Sequence, residues 1–426
     1  MAVQYNQRKR GGMVRVLHLA DLHIGVENYG HFDTSTGMHT RLADFLARFD
    51  EAIAVGIEAK VDLVLIAGDM FKNRDPQPRH QREFAVRIKR IVDAGIPVLM
   101  LIGNHDVAPG RDTANSVAVY EGLEFPGVKI ARKADVYRYT TPNGPLAIVA
   151  VPWILREMLL SNNDALRAAT LHEQEPMILA IIERFIQQSV DTLMAEDPDR
   201  PIIVTYHGTV SGATTGIERM LTLGREIVMP PATLTPVGVD YVALGHVHKH
   251  QILRTLPPII YPGSIERIDF GEMEEHKGCV LVSFTHKTAA WKFVPLAARQ
   301  FVRIDVDVTA DPEYPTERVI QAIERHTLTD VVVAVVVTID TETRALFSYQ
   351  QVRTALQNAG VAHIARIVLE TPEQKQKRIT TNEHTGDIPD PVTALRQYLE
   401  KQNHSATELA ALMELGTELI AARDEA

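Results

Sequence analysis

The stretch VLMLIGNHDV, residues 98–107, begins as a buried strand and ends in an amide, an imidazole and a carboxylate. Five apolar residues, Val98 to Ile102, lead into Gly103, and Asn104, His105 and Asp106 follow in a row. Such a run suits an α/β fold whose apolar strands end at a polar site, provided other strands end in the same way. VRVLHLA (14–20), VDLVLIAG (61–68) and IPVLMLIG (96–103) all read as strands. Between them, TRLADFLARFDEAIAVGIEA (40–59) reads as a helix with Leu42, Phe45, Leu46, Phe49 and Ile53 on one face, and QREFAVRIKRIVDAG (81–95) as another. Near-continuous apolar strands alternating with amphipathic helices predict a mainly parallel sheet covered on both faces.

Further strands are predicted at 146–152, 201–207, 240–246, 258–264 and 279–284, with a largely helical stretch over 153–197. From about 300 to 371 the order β-α-β-α-β predicts a small α/β unit. Residues 372–390, PEQKQKRITTNEHTGDIPD, are polar and without period, and read as a linker. A helix pair is predicted after it. Asp390 and Pro391 open the first helix, on which Val392, Leu395 and Leu399 share a face. Ser405 and Glu408 form a capping box for the second, with Leu409, Leu412, Leu415, Leu419 and Ile420 as its apolar stripe.

A length of 426 residues suggests two or three domains, and 45% apolar with 23% charged residues suffices for a sizeable core. The net charge of −10 argues against a simple basic DNA-binding module, whose affinity comes from neutralising phosphates. It leaves room for a local basic surface or a partner chain. A single cysteine, Cys279, allows neither a disulfide framework nor a thiolate zinc cluster within the chain, as expected of a cytoplasmic protein. The opening MAVQYNQRKRGGM lacks the apolar core of a secretory signal, and no run approaches the roughly 18 apolar residues of a membrane span.

Polar residues of one kind recur at the predicted strand ends. HLADLHIG supplies Asp21 and His23, LIAGDMF supplies Asp69, LIGNHD supplies Asn104, His105 and Asp106, VTYHG supplies His207, and ALGHVH supplies His246 and His248. The i, i+2 spacing of Asp21/His23 and His246/His248 suits extended backbone, which turns alternate side chains to one side. Gly25, Gly68, Gly103, Gly208 and Gly245 supply tight turns at the same places. Mixed nitrogen and oxygen donors without thiolates suit Mn²⁺, Fe²⁺ or Zn²⁺ better than Ca²⁺ or Mg²⁺. Seven donors exceed the usual need of one ion, whereas two ions sharing a carboxylate would use them all. The pattern therefore predicts a two-metal phosphoester site that clamps the attacking and leaving oxygens.

The series DLH, GDMF, GNHD, YHG and GHVH resembles the calcineurin-like metallophosphoesterase superfamily, and within it the SbcD (meiotic-recombination-eleven type) DNA repair nucleases. The resemblance covers residues 13–290 strongly. It implies a four-layer α/β sandwich, two sheets flanked by helices, over 13–298. It also implies an α/β capping domain that binds DNA at 299–371, a linker at 372–390, and a helix pair at 391–422 that docks an SbcC-like ABC ATPase. Two divalent ions, Mn²⁺ by expectation, would be held by Asp21, His23, Asp69 and His248 on one side, and by Asp69, Asn104, His207 and His246 on the other. His105 would sit beside the scissile phosphate, protonating the leaving 3′ oxygen or stabilising charge on it, and Asp106 would orient His105. The implied activity is exo- and endonucleolytic cleavage of DNA in double-strand-break repair.

Candidate DNA contacts are Lys72, Arg79 and Arg111, with Arg74, Arg82, Arg87, Lys89 and Arg90 as further basic residues after Asp69. Lys72 stands where archaeal members of the family often carry histidine. The chain has no G-x-x-x-x-G-K-[ST] phosphate loop, so ATP hydrolysis falls to the partner. A homodimer through the nuclease domain is expected, with 38–49 and 113–120 as its elements. Two readings stay open beside the nuclease: a cytosolic cyclic-nucleotide phosphodiesterase or phosphatase, and a non-catalytic scaffold.

Overall fold

The structure, a computed structural model, describes residues 12–107, 116–122, 125–154, 164–216, 227–310, 312–376, 392, 395–396, 399 and 406–424. The chain runs β1 (Val14–Leu19), a ribbon of β2 (Phe32–Asp33) and β3 (Met38–His39), α1 (Thr40–Glu58), β4 (Leu63–Ile66), α2 (Pro78–Asp93), β5 (Val98–Leu101), α3 (Ala118–Gly122) and β6 (Val128–Ala131). It continues through β7 (Asp135–Thr141), β8 (Gly144–Val151), α4 (Asp164–Ala168), α5 (Leu171–Glu196), β9 (Ile202–His207), α6 (Pro231–Leu234) and β10 (Tyr241–Gly245). The hairpins β11 (Gln251–Thr255) with β12 (Pro258–Tyr261) and β13 (Gly278–Thr285) with β14 (Thr288–Pro295) follow. Last come β15 (Phe301–Asp307), α7 (Pro315–Glu324), β16 (Val332–Thr338), α8 (Tyr349–Asn358), β17 (His363–Glu370) and α9 (Ala406–Asp424).

Two six-stranded sheets lie face to face. One has the order β14-β13-β1-β4-β5-β6 and the other β11-β12-β10-β9-β8-β7. Strands β1, β4, β5 and β6 run parallel, as do β8, β9, β10 and β12, and the remaining strands β7, β11, β13 and β14 pair antiparallel. The layer between the sheets is built from Val16, Leu63, Leu65, Leu99 and Leu101 on one side and Ile148, Ile203, Tyr241 and Ala243 on the other. Helices α1 and α2 cover the outer face of the first sheet, where Leu42, Phe45, Leu46, Phe49 and Ile53 pack with Phe84 and Ile88. Helix α5 covers the second through Ile178, Ile182, Ile186 and Val190. The sandwich has four layers, helix–sheet–sheet–helix.

This is the four-layer sandwich that the family resemblance implies, whereas the apolar strands by themselves imply only a sheet covered on both faces. Apolar strands report burial on two sides, but not what lies on each side, and here one side meets another sheet. Strands β7, β11 and β14 escape the sequence reading because each is an antiparallel edge with polar residues facing outward, for example Asp135, Arg138 and Thr140 on β7. His18 of β1 joins the layers. Its Nε2 donates to the Leu244 carbonyl at 3.1 Å and its Nδ1 lies 3.0 Å from the Tyr241 hydroxyl. Burial holds this imidazole neutral, with a pKa lowered to about 3.

The predicted β-α-β-α-β order of the next segment is present as a parallel sheet β15-β16-β17 with α7 and α8 packed on it. Arg299 sits at its entrance. It holds both oxygens of Asp44 on α1, at 2.6 and 2.5 Å, and the Asp330 carbonyl at 2.8 Å. The linker predicted at 372–390 does not begin as one. Residues 372–376 are helical, because Thr371 and Gln374 satisfy each other's backbone N–H groups at 2.9 and 3.4 Å. Residues 377–390 and the cap residues Asp390, Pro391 and Ser405 lie outside the described residues. Leu395 approaches Gly416 so closely that a Cβ there would collide with it, so the two C-terminal helical segments touch. Among the described residues no helix is long and apolar enough to cross a membrane.

Candidate active site

The C-terminal ends of β1, β4 and β5 in one sheet meet those of β9 and β10 in the other. Asp21, His23 and His248 bring ligand atoms within 4.8 Å of one another, and Asp69, His207 and His246 do the same. Asp69 Oδ2 faces both groups, 3.4 Å from His207 Nε2 and 3.8 Å from His23 Nε2. Asn104 Oδ1 lies 3.0 Å from both His207 Nε2 and His246 Nδ1. His105 also falls within reach of His23 and Asp69. All seven residues expected as metal ligands, and His105 beside them, are therefore gathered at one place.

The backbone that delivers them is not extended. β1 ends at Leu19 and β10 at Gly245, and Asp21, His23, Asp69 and His246 have φ of 52°, 43°, 55° and 101°. The i, i+2 pairs thus come from turns with left-handed residues rather than from strand alternation. Non-glycine residues in that region cost free energy and are held there by their surroundings. Asp21 is held in its turn by accepting the His246 N–H at 3.0 and 3.1 Å, which ties the two sheets at the site. Gly245 and Gly103 serve close approach. A Cβ on Gly245 would meet the Ala67 carbonyl oxygen, and one on Gly103 the Asp69 carboxylate.

Asp106 does not touch His105. Its buried carboxylate accepts from the backbone N–H of Asp69 (2.9 Å), Gly103 (3.0 Å) and Met70 (3.2 Å), and from the Ser116 hydroxyl (3.1 Å). The expected brace of an imidazole is in fact a clamp between two loops. Adjacent positions in a tight turn point apart, so sequence neighbours are not spatial partners. The His105 ring is oriented instead by the Lys72 carbonyl, which accepts from Nδ1 at 2.8 Å, and its own N–H donates to Asp69 Oδ1 at 2.9 Å.

The donor set fits cations. His207 Nδ1 donates to the Ala67 carbonyl at 2.7 Å, and His248 Nδ1 donates to Glu272 Oε1 at 2.8 Å. In the neutral rings Nε2 then carries the lone pair. For His248 that atom faces His23 Nε2 at 3.0 Å, and for His207 it faces Asn104 Oδ1 and the Asp69 carboxylate. The His207 lone pair facing an amide oxygen and a carboxylate is favourable only with a positive charge between them. Electrostatics agree. Burial alone would raise the Asp69 carboxyl, but His207, His105 and His23 hold it well below the usual range. Burial lowers His207, and the charges of Asp69 and Asp21 outweigh it and push it up to about 9. A proton there occupies the place a metal ion would take. Burial raises Asp21 and lowers His23.

Three functional neighbours carry no sequence signal. Glu272 is one of four glutamates in ERIDFGEMEE, and nothing marks it as the partner of His248. Lys277 resembles any solvated lysine yet is buried. The Trp153 ring packs on His246 and His207, at 5.3 and 6.3 Å between centroids. Of the basic candidates, Lys72 and Arg79 are exposed. Arg111 lies outside the described residues. Arg87 and Arg90 bind Asp50, and Lys89 binds Asp93, so these three face the helix surface as ion pairs.

Two facing sheets whose strand ends present such a set of imidazoles and carboxylates define the metallophosphoesterase class. Residues 14–250 match the family model of calcineurin-like phosphoesterases, and the chain belongs to that family. It is similar to the DNA double-strand break repair protein Mre11 of Aeropyrum pernix, with 25% identity over 304 residues, 70% of this chain and 64% of that one. It is similar to the D component of the nuclease SbcCD of Escherichia coli K12, with 26% identity over 277 residues, 64% of this chain and 66% of that one. The D component of the nuclease SbcCD of Rhodobacter capsulatus is 25% identical over 330 residues, 74% of this chain and 77% of that one. The chain spans just under two thirds of the length of the first two relatives.

Proposed function

We propose that the chain is a Mn²⁺-dependent DNA nuclease subunit that hydrolyses phosphodiesters, exo- and endonucleolytically, in double-strand-break repair. The single observation that supports this most is the convergence of seven nitrogen and oxygen donors in two groups that share Asp69, with His105 at their edge. Asp21, His23, Asp69 and His248 would hold one divalent ion, and Asp69, Asn104, His207 and His246 the other. Two such ions supply charge neutralisation at the phosphate and a more acidic water. The protein's own part is orientation and proton transfer. With Nδ1 donating to the Lys72 carbonyl, His105 would act in its imidazolium form, the only one that also holds a proton on Nε2. As water attacks phosphorus and the bond to the 3′ oxygen breaks, that proton passes to the leaving oxygen.

The same reading assigns 13–298 to the nuclease domain, 299–371 to a DNA-binding cap, 372–390 to a linker and 391–422 to a helix pair for an SbcC-like ABC ATPase. Exposed Leu412 and Leu415 on α9 support an apolar docking face. Lys72, Arg79 and Arg111 are the proposed DNA contacts, and a homodimer through the nuclease domain is part of the proposal. In that dimer the apolar face of α1 is not available, because Leu42, Phe45, Leu46 and Phe49 lie in the core.

The test incubates the purified chain with end-labelled DNA, with and without Mn²⁺, beside His105→Gln. Cleavage only with metal, and its loss in the variant while Mn²⁺ still binds, is the expected result. Turnover of a phosphomonoester or cyclic nucleotide without DNA cleavage would replace the nuclease reading.

A further inference from the structure

Resting on the two-cation reading above, we propose that Glu272 and Lys277 form a clamp that positions His248 and thereby sets the affinity of one of the two cations. Glu272 Oε1 accepts from His248 Nδ1 at 2.8 Å. Its Oε2 receives the Ile268 N–H and the Lys277 ammonium, each at 2.9 Å. Lys277 Nζ also donates to Glu275 Oε2 at 2.8 Å and to the backbone carbonyl of His248 at 3.1 Å. The ammonium has three hydrogens and meets three acceptors, two carboxylates and a carbonyl. It is 1% exposed and Glu272 is 7% exposed, so water does not compete for these bonds. His248 is thus held at both ends, its ring by Glu272 and its backbone by Lys277.

The consequence is asymmetric. With Nδ1 donating to a carboxylate, the imidazole is a stronger base at Nε2, the atom aimed at His23. His207, in the other group, donates its Nδ1 to the neutral carbonyl of Ala67. A carboxylate partner strengthens a ligand more than an amide carbonyl does. Glu272 therefore acts on the ion held with Asp21 and His23, and leaves the one held with His207 and His246 to its own ligands. Arg267 extends the arrangement. Its guanidinium binds the carbonyls of Glu272 (3.2 Å), Glu275 (2.7 Å), Ala298 (3.3 Å) and Arg299 (3.0 Å), so the clamp loop is anchored where the chain enters β15.

The test titrates the metal-free full chain with Mn²⁺ by calorimetry and counts bound ions by electron paramagnetic resonance. In Glu272→Gln, one of two binding events should weaken about 10- to 100-fold, the cost typical of losing an outer-shell partner, while the other stays within about twofold. Glutamine keeps the size and an acceptor for Nδ1, so folding should survive. Should it not, Lys277→Met leaves Glu272 in place and should weaken the same event. Both events unchanged, or both weakened equally, overturns the clamp alone. A wild-type chain that takes up fewer than two ions overturns the two-cation reading and the clamp with it.

Discussion

Replacing Asp106 by alanine separates two roles that a residue next to His105 could have. As a clamp, its carboxylate satisfies three buried N–H groups, those of Asp69, Met70 and Gly103, and one hydroxyl. Each buried donor left without a partner costs about 1–3 kcal/mol, so Asp106→Ala should destabilise these loops by at least about 3 kcal/mol. Asparagine keeps one oxygen. Set in the place of Oδ2 it still serves Asp69 and Gly103, while its NH₂ opposes the Met70 N–H, a loss of about 1–3 kcal/mol. Hydrogen exchange resolved to residues 67–72 and 101–106 reads both values in metal-free protein. At about 1.4 kcal/mol per tenfold, alanine should speed exchange by 100-fold or more and asparagine by roughly 5- to 150-fold. If exchange in both loops is unchanged in Asp106→Ala while DNA cleavage disappears, the clamp is refuted and the carboxylate acts through His105 after all.

Acid should weaken the seam between the sheets. His18 stays neutral in the fold, with its pKa lowered from 6.5 to about 3, so its contribution is complete above about pH 6.5 and is lost as pH falls below it. The unfolded chain takes up the proton first. At about 1.4 kcal/mol per pH unit, roughly 2 kcal/mol should be gone by pH 5. His18→Leu should melt lower at pH 7.5 yet lose less on acidification, and equal slopes for the two proteins would count against the argument. Gly245→Ala forces a methyl group onto the Ala67 carbonyl across the sheets, and overpacking of this kind costs about 1–3 kcal/mol. A melting temperature equal to that of the wild type would show that the sheets can move apart there.

Much of this is legible in the amino-acid sequence, for identifiable reasons. The strands β1, β4, β5, β9 and β10 are buried on both faces, so their apolar runs stand out, and each stops where a polar donor begins. That punctuation places Asp21, His23, Asp69, Asn104, His207, His246 and His248 at strand ends. What stays hidden depends on contacts between distant segments. Glu272 reaches His248 across 24 residues and His18 reaches Leu244 across 226. Neither pairing has a spacing rule that a single chain could display. The role of Asp106 is misread for a local reason: proximity in sequence stands in for direction, and a residue in a turn points where φ sends it. The turn at Thr371–Gln374 does carry a signal, T-x-x-Q, which polar composition obscures.

The donors divide unevenly between the halves of the sandwich. Every oxygen donor of the proposed set, from Asp21, Asp69 and Asn104, rides on the first sheet, and the second sheet brings imidazoles alone, from His207, His246 and His248. All the hard ligands thus sit on one jaw, with His23 the one imidazole of the set beside them. The choice of ion then becomes a matter of spacing: a slightly wider gap favours a larger, oxygen-seeking ion, and a narrower one draws nitrogen inward. Packing residues of the layer between the sheets, such as Tyr241 or Leu65, would tune that preference without a single donor being exchanged.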